Sequence, residues 1–169
     1  LYVIQKQEIT QLIDQDGDDW IDEYRNVAND WPVTSNFHEF GFGLAVKDGD
    51  LYAALSVCVL RGGKSCPNQT ASRGKMIRVD PSVGEVEFLA SGFRTPNGVA
   101  AGPDGDVYIT DNQGDWLPAS KLMRVRAGDD FGWRKPGDVP DPKDVTPPAL
   151  WLPQNEVGNS PTQPLFLTQ

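Results

Sequence analysis

Short runs of alternating apolar and polar residues recur along the chain, and three of them open with an apolar residue followed by tyrosine. The pairs are Leu1-Tyr2, Leu51-Tyr52 and Val107-Tyr108, at periods of 50 and 56 residues. An Asp-Gly turn precedes the second and third pairs, at Asp48-Gly49 and Asp104-Gly105. Asp-Gly supplies the positive backbone angles of a tight hairpin. A period near fifty with this turn chemistry predicts the blades of a β-propeller.

Further alternating runs complete the predicted blades. We expect an all-β chain with four-stranded, radially arranged sheets around residues 44–54, 75–89, 99–110 and 121–125. In the 75–89 pair the period of two places four side chains towards the core: Met76, Val79, Val86 and Phe88.

The domain prediction is one partial β-propeller over residues 1–169, about three blades of a larger propeller and incomplete at both ends. Leu1-Tyr2 lacks the turn that precedes the other pairs, and residues 160–166 resemble the start of a further repeat. Residues 135–148, rich in Pro, Asp and Lys, are predicted to be an excursion loop.

Charge and cysteine content restrict the possible partners and the cellular location of the chain. The chain has 15 basic and 24 acidic residues, a net charge of −9, which argues against nucleic-acid or anionic-membrane partners. No apolar stretch is long enough to span a bilayer. Cys58 and Cys66 bracket a Gly-containing loop whose ends could meet in a disulfide, and Asn68-Gln69-Thr70 is a glycosylation sequon. Together they favour an exported protein, periplasmic or secreted, over one with two reduced thiols and a chance sequon.

His38 is the sole histidine and lies just before the first strand of a predicted blade. Loops that enter the innermost strand of a propeller face the central channel, where active sites collect. A neutral imidazole is the commonest general base near pH 7. His38 is therefore the candidate base, and the alternative is a structural or simply exposed histidine.

A run of carboxylates at alternate positions lies between two predicted strands. Asp14, Asp16, Asp18 and Asp22 follow the spacing by which a loop wraps oxygen ligands around calcium. The run is not an EF-hand, because its twelfth position is Arg25 where a bidentate Glu would be needed. A structural calcium site and an acidic hairpin tip without metal both remain open.

Two polar segments flank the third predicted strand pair. In the first, Arg94 precedes an inner strand, from which its planar guanidinium could grip an anionic ligand; the alternative is a salt bridge between blades. The second segment, residues 111–116, combines acidic and amide groups beside a glycine, which suits a cation or a polar ligand as well as a plain turn.

In this order the segments resemble the pyrroloquinoline quinone (PQQ)-dependent glucose/sorbosone dehydrogenase family, especially its sorbosone-dehydrogenase-like branch. The family's propellers have six blades, with the quinone at the top of the channel. The matching phrases are Asn-Phe-His-Glu-Phe (36–40), Gly-Phe-Arg-Thr-Pro-Asn-Gly (92–98), Thr-Asp-Asn-Gln-Gly-Asp-Trp (110–116), Lys-Leu (121–122) with Phe-Gly-Trp (131–133), and Pro-Ala-Leu-Trp-Leu-Pro (148–153).

The resemblance implies roles for particular residues. His38 would take the proton of a substrate hydroxyl while a hydride passes to the quinone, and Arg94 would contact the quinone oxygens. Asn97 and Asn112 would be polar cofactor contacts, and the backbone carbonyls of Gln113 and Gly114 would hold the calcium that polarises the quinone. A cation and a guanidinium suit this chemistry, because a reduced quinone gains negative charge.

The chain departs from the family at three points. Thr95 stands where the glucose branch often has Asn, and Ser56-Val57 stand where it often has an acidic residue. Without that orienting carboxylate His38 would be a weaker base, unless Glu39 substitutes for it. The family draws further cationic contacts from later blades. We therefore expect the chain alone to be inactive and the remaining blades of the same protein to complete the site.

The leading hypothesis is thus a segment of a PQQ- and calcium-dependent dehydrogenase of a sugar or alcohol, with a cytochrome as a candidate electron acceptor. One alternative is a propeller hydrolase of the gluconolactonase and strictosidine-synthase-like kind, which shares the Pro-Asn-Gly phrase. The other is a non-catalytic propeller scaffold in a larger assembly.

Overall fold

The computed structural model describes residues 1–115 and 119–167. Within these ranges the chain forms eleven β-strands and one short 3-10 turn, Pro142–Asp144. The strands are β1 (Tyr2–Ile4), β2 (Ile9–Ile13), β3 (Glu23–Ala28), β4 (Gly41–Lys47), β5 (Asp50–Leu55), β6 (Lys75–Asp80), β7 (Glu85–Ser91), β8 (Pro96–Ala101), β9 (Val107–Asp111), β10 (Ala119–Val125) and β11 (Leu150–Pro153).

The strands form three antiparallel sheets in sequence order. Sheet 1 is β1-β2-β3, sheet 2 is β4-β5-β6-β7, and sheet 3 is β8-β9-β10-β11. The predicted segments 44–54 and 75–89 therefore share one sheet, because β5 pairs with β6. Strand β11 was not predicted, and it completes sheet 3 by pairing with β10.

The sheets pack face to face, and strand alternation explains how. On β5, Leu51, Ala53 and Leu55 face sheet 1, whereas Tyr52 and Ala54 face sheet 3. All five are buried. Side chains alternate between the two faces of a strand, so a strand lying between two sheets is apolar at successive positions. Sheet 2 is thus the middle layer of the three.

One residue of the predicted core, on the outer strand of sheet 2, is not buried. Met76 and Val79 are buried, whereas Phe88 on β7 is 41% exposed, with the Lys75 ammonium 5.1 Å from its ring centroid. The β6–β7 register shifts between Met76 and Ile77, which breaks the simple period of two. Phe88 consequently lies at the surface.

The first strands of successive sheets approach closely at glycines. A Cβ on Gly43 of β4 would lie 2.5 Å from the backbone nitrogen of Val99 on β8. A Cβ on Gly98 of β8 would lie 2.3 Å from the Cα of Gln163. The Gln163 side chain also accepts a 3.0 Å hydrogen bond from the Val99 nitrogen. The segment around Gln163 therefore lies against β8 much as β8 lies against β4.

Two connections complete the picture. Cys58 and Cys66 form a disulfide with a Cα–Cα distance of 5.4 Å. Residues 135–148 lie within the connection from β10 to β11 and contain the 3-10 turn. In the described part of the chain, no helix has the length and apolar character needed to cross a bilayer.

Candidate functional site

His38 lies on the segment that leads into β4, and backbone contacts hold it there. Its N–H donates to Asn36 Oδ1 at 2.7 Å, and its carbonyl accepts from the Val59 nitrogen at 2.9 Å. The side chain is exposed. It packs edge-to-face against Phe37, at 5.0 Å between ring centroids, and against Phe40, at 5.9 Å. Two aromatic rings thus contact the imidazole, which stays open to solvent.

Glu39 does not substitute for the missing carboxylate partner of His38. It is fully buried, and its Oε1 lies 2.8 Å from Nε of the buried Arg73, without the alignment of a hydrogen bond at that nitrogen. The hydroxyl and nitrogen of Thr34 donate to the same carboxylate. Across residues 1–115 and 119–167, no carboxylate is hydrogen-bonded to the imidazole.

The Glu39–Arg73 ion pair instead anchors the segment that carries His38. Arg73 donates to the Phe40 carbonyl at 3.2 Å and to the Lys6 carbonyl at 3.1 Å. Burial lowers the pKa of Arg73, while the Glu39 carboxylate raises it. Because an unpaired buried charge is costly, this pairing fixes the path of the chain on both sides of His38.

Arg94 lies between β7 and β8 and is 4% exposed. Its Nε donates to Asp115 Oδ2 at 2.9 Å, and its Nη1 donates to the Thr95 hydroxyl and the Gln113 carbonyl, each at 3.2 Å. Its Nη2 donates to the Gly63 carbonyl. Four of the five guanidinium N–H groups thus have partners within the described residues.

Two aspartates hold the loops around Arg94, and their pKa values move in opposite directions. Burial raises the pKa of Asp111, which accepts backbone N–H groups of Arg94 at 2.9 Å and Thr95 at 2.7 Å. Burial also acts to raise the pKa of Asp115, but hydrogen bonds from Ser65 and Arg94 outweigh it and lower the pKa to about 2. Asp115 is therefore an ionised partner for Arg94.

Four of the predicted site residues line one cavity of about 270 Å³: His38, Arg94, Asn97 and Asn112. Phe40 and Phe42 form an aromatic side of its lining. Arg94 and Asn112 come from the ends of sheet 3, whereas His38 leads into sheet 2. The packing of the two sheets is what brings these side chains together.

Gln113 and Gly114, the predicted calcium ligands, lie against the Arg94 guanidinium. The Gln113 carbonyl accepts from Arg94, and its side chain accepts from the Ser120 hydroxyl. Gly114 packs on the guanidinium, since a Cβ there would lie 2.2 Å from Arg94 Cζ. A guanidinium therefore donates to the Gln113 carbonyl and packs closely against Gly114. Trp116, the last residue of the phrase, lies outside the described residues.

The acidic run lies on the turn between β2 and β3, and none of its residues lines the cavity. Carboxylate oxygens of Asp14, Asp16 and Asp18 lie within 4.8 Å of one another, a grouping that could hold a cation. Asp22 is outside this group and accepts from the Gln15 nitrogen at 2.8 Å. Asp14 also accepts from the Gly17 nitrogen, and such backbone hydrogen bonds lower its pKa.

A second group of residues at the site was not predicted from sequence. Gly63, Ser65 and Asp115 join the loop between Cys58 and Cys66 to Arg94. Asp115 belongs to the same phrase as Asn112, which was a usable signal. Nothing in the sequence indicated that a loop 50 residues earlier would contact it.

A larger cavity, of about 380 Å³, lies beside residues 139–148 and Trp151. Its lining is apolar apart from Lys121 and Thr146. The Lys121 ammonium donates to the Phe131 carbonyl at 3.0 Å, and Asp111 is its partner across the β9–β10 ladder. Burial lowers the pKa of Lys121 while Asp111 raises it. This cavity lacks the cluster of polar groups found around His38.

Comparison with known proteins supports the architecture. The model of the NHL repeat family matches residues 93–113. Comparison with curated protein sequences gives no significant match. The soluble aldose sugar dehydrogenase of Escherichia coli, solved in its apo-form, superposes with a TM-score of 0.65 at 17% identity, over 85% of this chain and 48% of that one.

Two glucose dehydrogenase structures superpose with TM-scores of 0.62, at 18% and 19% identity. Each match covers 85% of this chain and 49% or 48% of the other. The chain thus spans about half the length of the solved structures it matches. At this identity the likeness concerns the fold, and it confirms the prediction from sequence: the chain is an all-β stretch of β-propeller.

Proposed function

We propose that this chain carries the substrate-facing part of a PQQ-dependent dehydrogenase that oxidises a sugar or alcohol. The observation that supports this most is the grouping of His38, Arg94, Asn97 and Asn112 around one cavity. The aldose sugar and glucose dehydrogenases that share the fold make a sugar the first substrate to test. PQQ itself comes from the resemblance of the phrases around these residues.

His38 is the proposed general base. Its imidazole is exposed at the cavity and held by two aromatic rings, so one ring nitrogen can accept a proton from a substrate hydroxyl. It lacks a carboxylate partner in the described residues, so its orientation depends on the rings and on the anchored backbone. Such a base contributes about 10²–10⁴-fold to the rate of a proton-coupled step.

The donors around the cavity suit the oxygens of a quinone carboxylate. Arg94 supplies positive charge, and the amides of Asn97 and Asn112 with the Thr95 hydroxyl supply neutral donors. PQQ, when bound, would accept the hydride released from the hydroxyl-bearing carbon. Arg94 must exchange at least one internal partner to grip a ligand with two N–H groups, because only one is free of a described partner.

The two predicted calcium sites differ in how well their residues suit the ion. At Gln113 and Gly114 the residues as arranged do not fit a divalent cation, because Arg94 contacts both. Calcium there requires Arg94 to move away. The carboxylates of Asp14, Asp16 and Asp18 are grouped as oxygen ligands for a structural calcium ion. Calorimetric titration with calcium tests the second site: binding lost in Asp16→Ala supports it, and no binding contradicts it.

The decisive experiment uses the protein with its remaining blades, reconstituted with PQQ and calcium. Oxidation of glucose and of ethanol is followed with an artificial electron acceptor. His38→Ala should lower turnover about 10²–10⁴-fold while PQQ affinity stays unchanged. Lys47→Ala, at the opposite end of β4, is the matched control and should leave both unchanged. The chain alone should show no turnover.

Failure to bind PQQ, or turnover that is indifferent to His38, would remove the dehydrogenase proposal. One observation favours the scaffold alternative in that case, namely that Arg94 is already paired to Asp115 and Gly63 as an internal link. Export to an oxidising compartment and transfer of electrons to a cytochrome remain part of the proposal. The disulfide agrees with export.

A further inference from the structure

The disulfide loop, residues 58–66, lies within the connection from β5 to β6 and borders the candidate site. Its two ends are joined by the Cys58–Cys66 bond and by a 2.8 Å hydrogen bond from the Cys66 nitrogen to the Cys58 carbonyl. The Gln69 amide accepts from the Cys58 nitrogen and donates to the carbonyls of both cysteines. Val59 and Gly63 of the loop line the cavity. The loop is thus a closed, internally bonded unit.

One side of the loop contacts the His38 segment. The Val59 nitrogen donates to the His38 carbonyl at 2.9 Å. The Asn36 side-chain amide lies 3.6 Å from Cys66 Sγ as a donor, and its oxygen caps the His38 nitrogen. The loop therefore fixes the backbone of the proposed base from two directions.

The other side of the loop contacts sheet 3. The Gly63 carbonyl accepts from Arg94 Nη2. The Ser65 nitrogen and hydroxyl donate to the two carboxylate oxygens of Asp115, at 3.0 and 2.5 Å. Asp115 in turn accepts from Arg94 Nε at 2.9 Å. The loop is consequently a bridge between His38 on one sheet and Arg94 on the next.

We propose that the disulfide loop is a positioning element of the candidate site, which holds His38 and Arg94 in register only while Cys58 and Cys66 are joined. The inference rests on the proposed function for the roles of His38 and Arg94, but not for their positions. Reduction by a dithiol breaks the S–S bond, gives two cysteine thiols and oxidises the dithiol to its own disulfide. The site is then assembled in an oxidising compartment and loosened in a reducing one.

The test uses NMR of the isotope-labelled chain with and without dithiothreitol. His38 is the sole histidine, so the imidazole gives a single Hε1 signal. With the disulfide intact, the Arg94 Nε–H signal should exchange slowly with water. Reduction should speed that exchange by at least about tenfold and shift the His38 signal. The Cys58→Ser, Cys66→Ser double variant should behave as the reduced chain.

Two internal signals separate repositioning from unfolding. The Trp31 indole N–H donates to the Lys6 carbonyl at 3.0 Å and should keep its position. Arg78 Nε–H, bonded to Asp50 at 2.6 Å, is the matched arginine control away from the loop and should keep its exchange rate. If the cysteine variant unfolds, Ser65→Ala keeps the disulfide and removes one hydroxyl donor to Asp115. Ser82→Ala, which removes the 2.6 Å Ser82–Asp80 bond, is its control.

Accelerated exchange at Arg94 in Ser65→Ala, but not in Ser82→Ala, supports the proposal. Unchanged His38 and Arg94 signals in the reduced chain, with the Trp31 signal intact, overturn it, as does an Arg94 signal indifferent to Ser65→Ala. These outcomes are independent of PQQ. If the NMR results support the positioning role but the protein with its remaining blades binds no PQQ, the proposed function is refuted and the positioning role stands.

Discussion

Ion pairs are buried at one end of the strands in sheets 2 and 3 and exposed at the other end. At the end near His38, ion pairs are buried: both side chains of the Arg73–Glu39 pair have 0% exposure, and those of Arg94–Asp115 have 5% and 15%. At the end with the Asp-Gly turns, Arg78 and Arg124 pair with aspartates while remaining 45% and 41% exposed. Buried pairs resist separation because an unpaired charge is left without water, whereas exposed pairs are exchanged for solvent. The buried pairs therefore hold the side chains near His38 in fixed positions, whereas the exposed pairs lie at turns that only connect strands.

The largest expected effect is on stability at the buried end. Arg73→Met should lower the free energy of unfolding by about 3–5 kcal/mol, because the buried Glu39 carboxylate then loses its close partner and keeps only the Lys6 ammonium, 3.9 Å away. Urea denaturation followed by tryptophan fluorescence measures this as a lower midpoint. The matched control is Arg78→Met, which removes an arginine of the same sheet from exposed pairs. Equal effects of the two substitutions would abolish the comparison.

Loss of the disulfide should have the next largest effect. The bond closes a short loop between Cys58 and Cys66, 8 residues apart. The chain-entropy model gives about 2–3 kcal/mol for a loop of this length. Urea denaturation with and without reductant measures the change, and the Cys58→Ser, Cys66→Ser variant should be insensitive to reductant. A midpoint that reductant does not move would show that the bond adds nothing to stability.

Acid should weaken the end near His38 through Asp115. Its pKa in the folded chain is about 2, below its ordinary value of 3.8. A carboxyl with a lowered pKa contributes stability above its ordinary pKa, and this contribution is lost as the pH falls towards 2. Asp115→Asn should therefore reduce the loss of stability between about pH 4 and pH 2. Thermal unfolding over that range checks the slope, and an unchanged slope would contradict the assignment.

The smallest effect is expected at the exposed turns. Arg124→Ala removes pairs with Asp104 and Asp106, yet surface ion pairs contribute about 0–1 kcal/mol. The change in unfolding free energy should fall in that range. It should shrink further in 0.5 M salt, because salt screens the attraction between exposed charges. A loss comparable with that of Arg73→Met would show that exposure does not decide the strength of these pairs.

Much of the architecture could be predicted from local patterns. The Asp-Gly turns at 48–49 and 104–105 do connect β4 to β5 and β8 to β9, because the hairpin turn is specified by the residues within it. The disulfide was also predicted, since its cysteines close a local loop. The burial of Phe88 was predicted wrongly, because a register shift and an outer position in the sheet override the period of two.

The candidate site, too, could be predicted only in part. The sequence singled out His38, Arg94, Asn97 and Asn112 by their places before or after strands and by the phrases around them. It gave no means of telling that Glu39 pairs with Arg73, or that Arg94 is bonded to Gly63 and Asp115. These partners are separated by 34, 31 and 21 residues and meet only when loops of different sheets converge.

The sequence by itself determined the repeating strands, their turns and the chemical types of the polar residues, because each depends on neighbours along the chain. The tertiary structure alone decided which charges are buried, which donors are already used and which loop holds which side chain. The physical reason is that burial and pairing are properties of the packed sheets. The Glu39 carboxylate, next to His38 in sequence, is buried against Arg73 instead, while Ser65 and Asp115, 50 residues apart, share two hydrogen bonds.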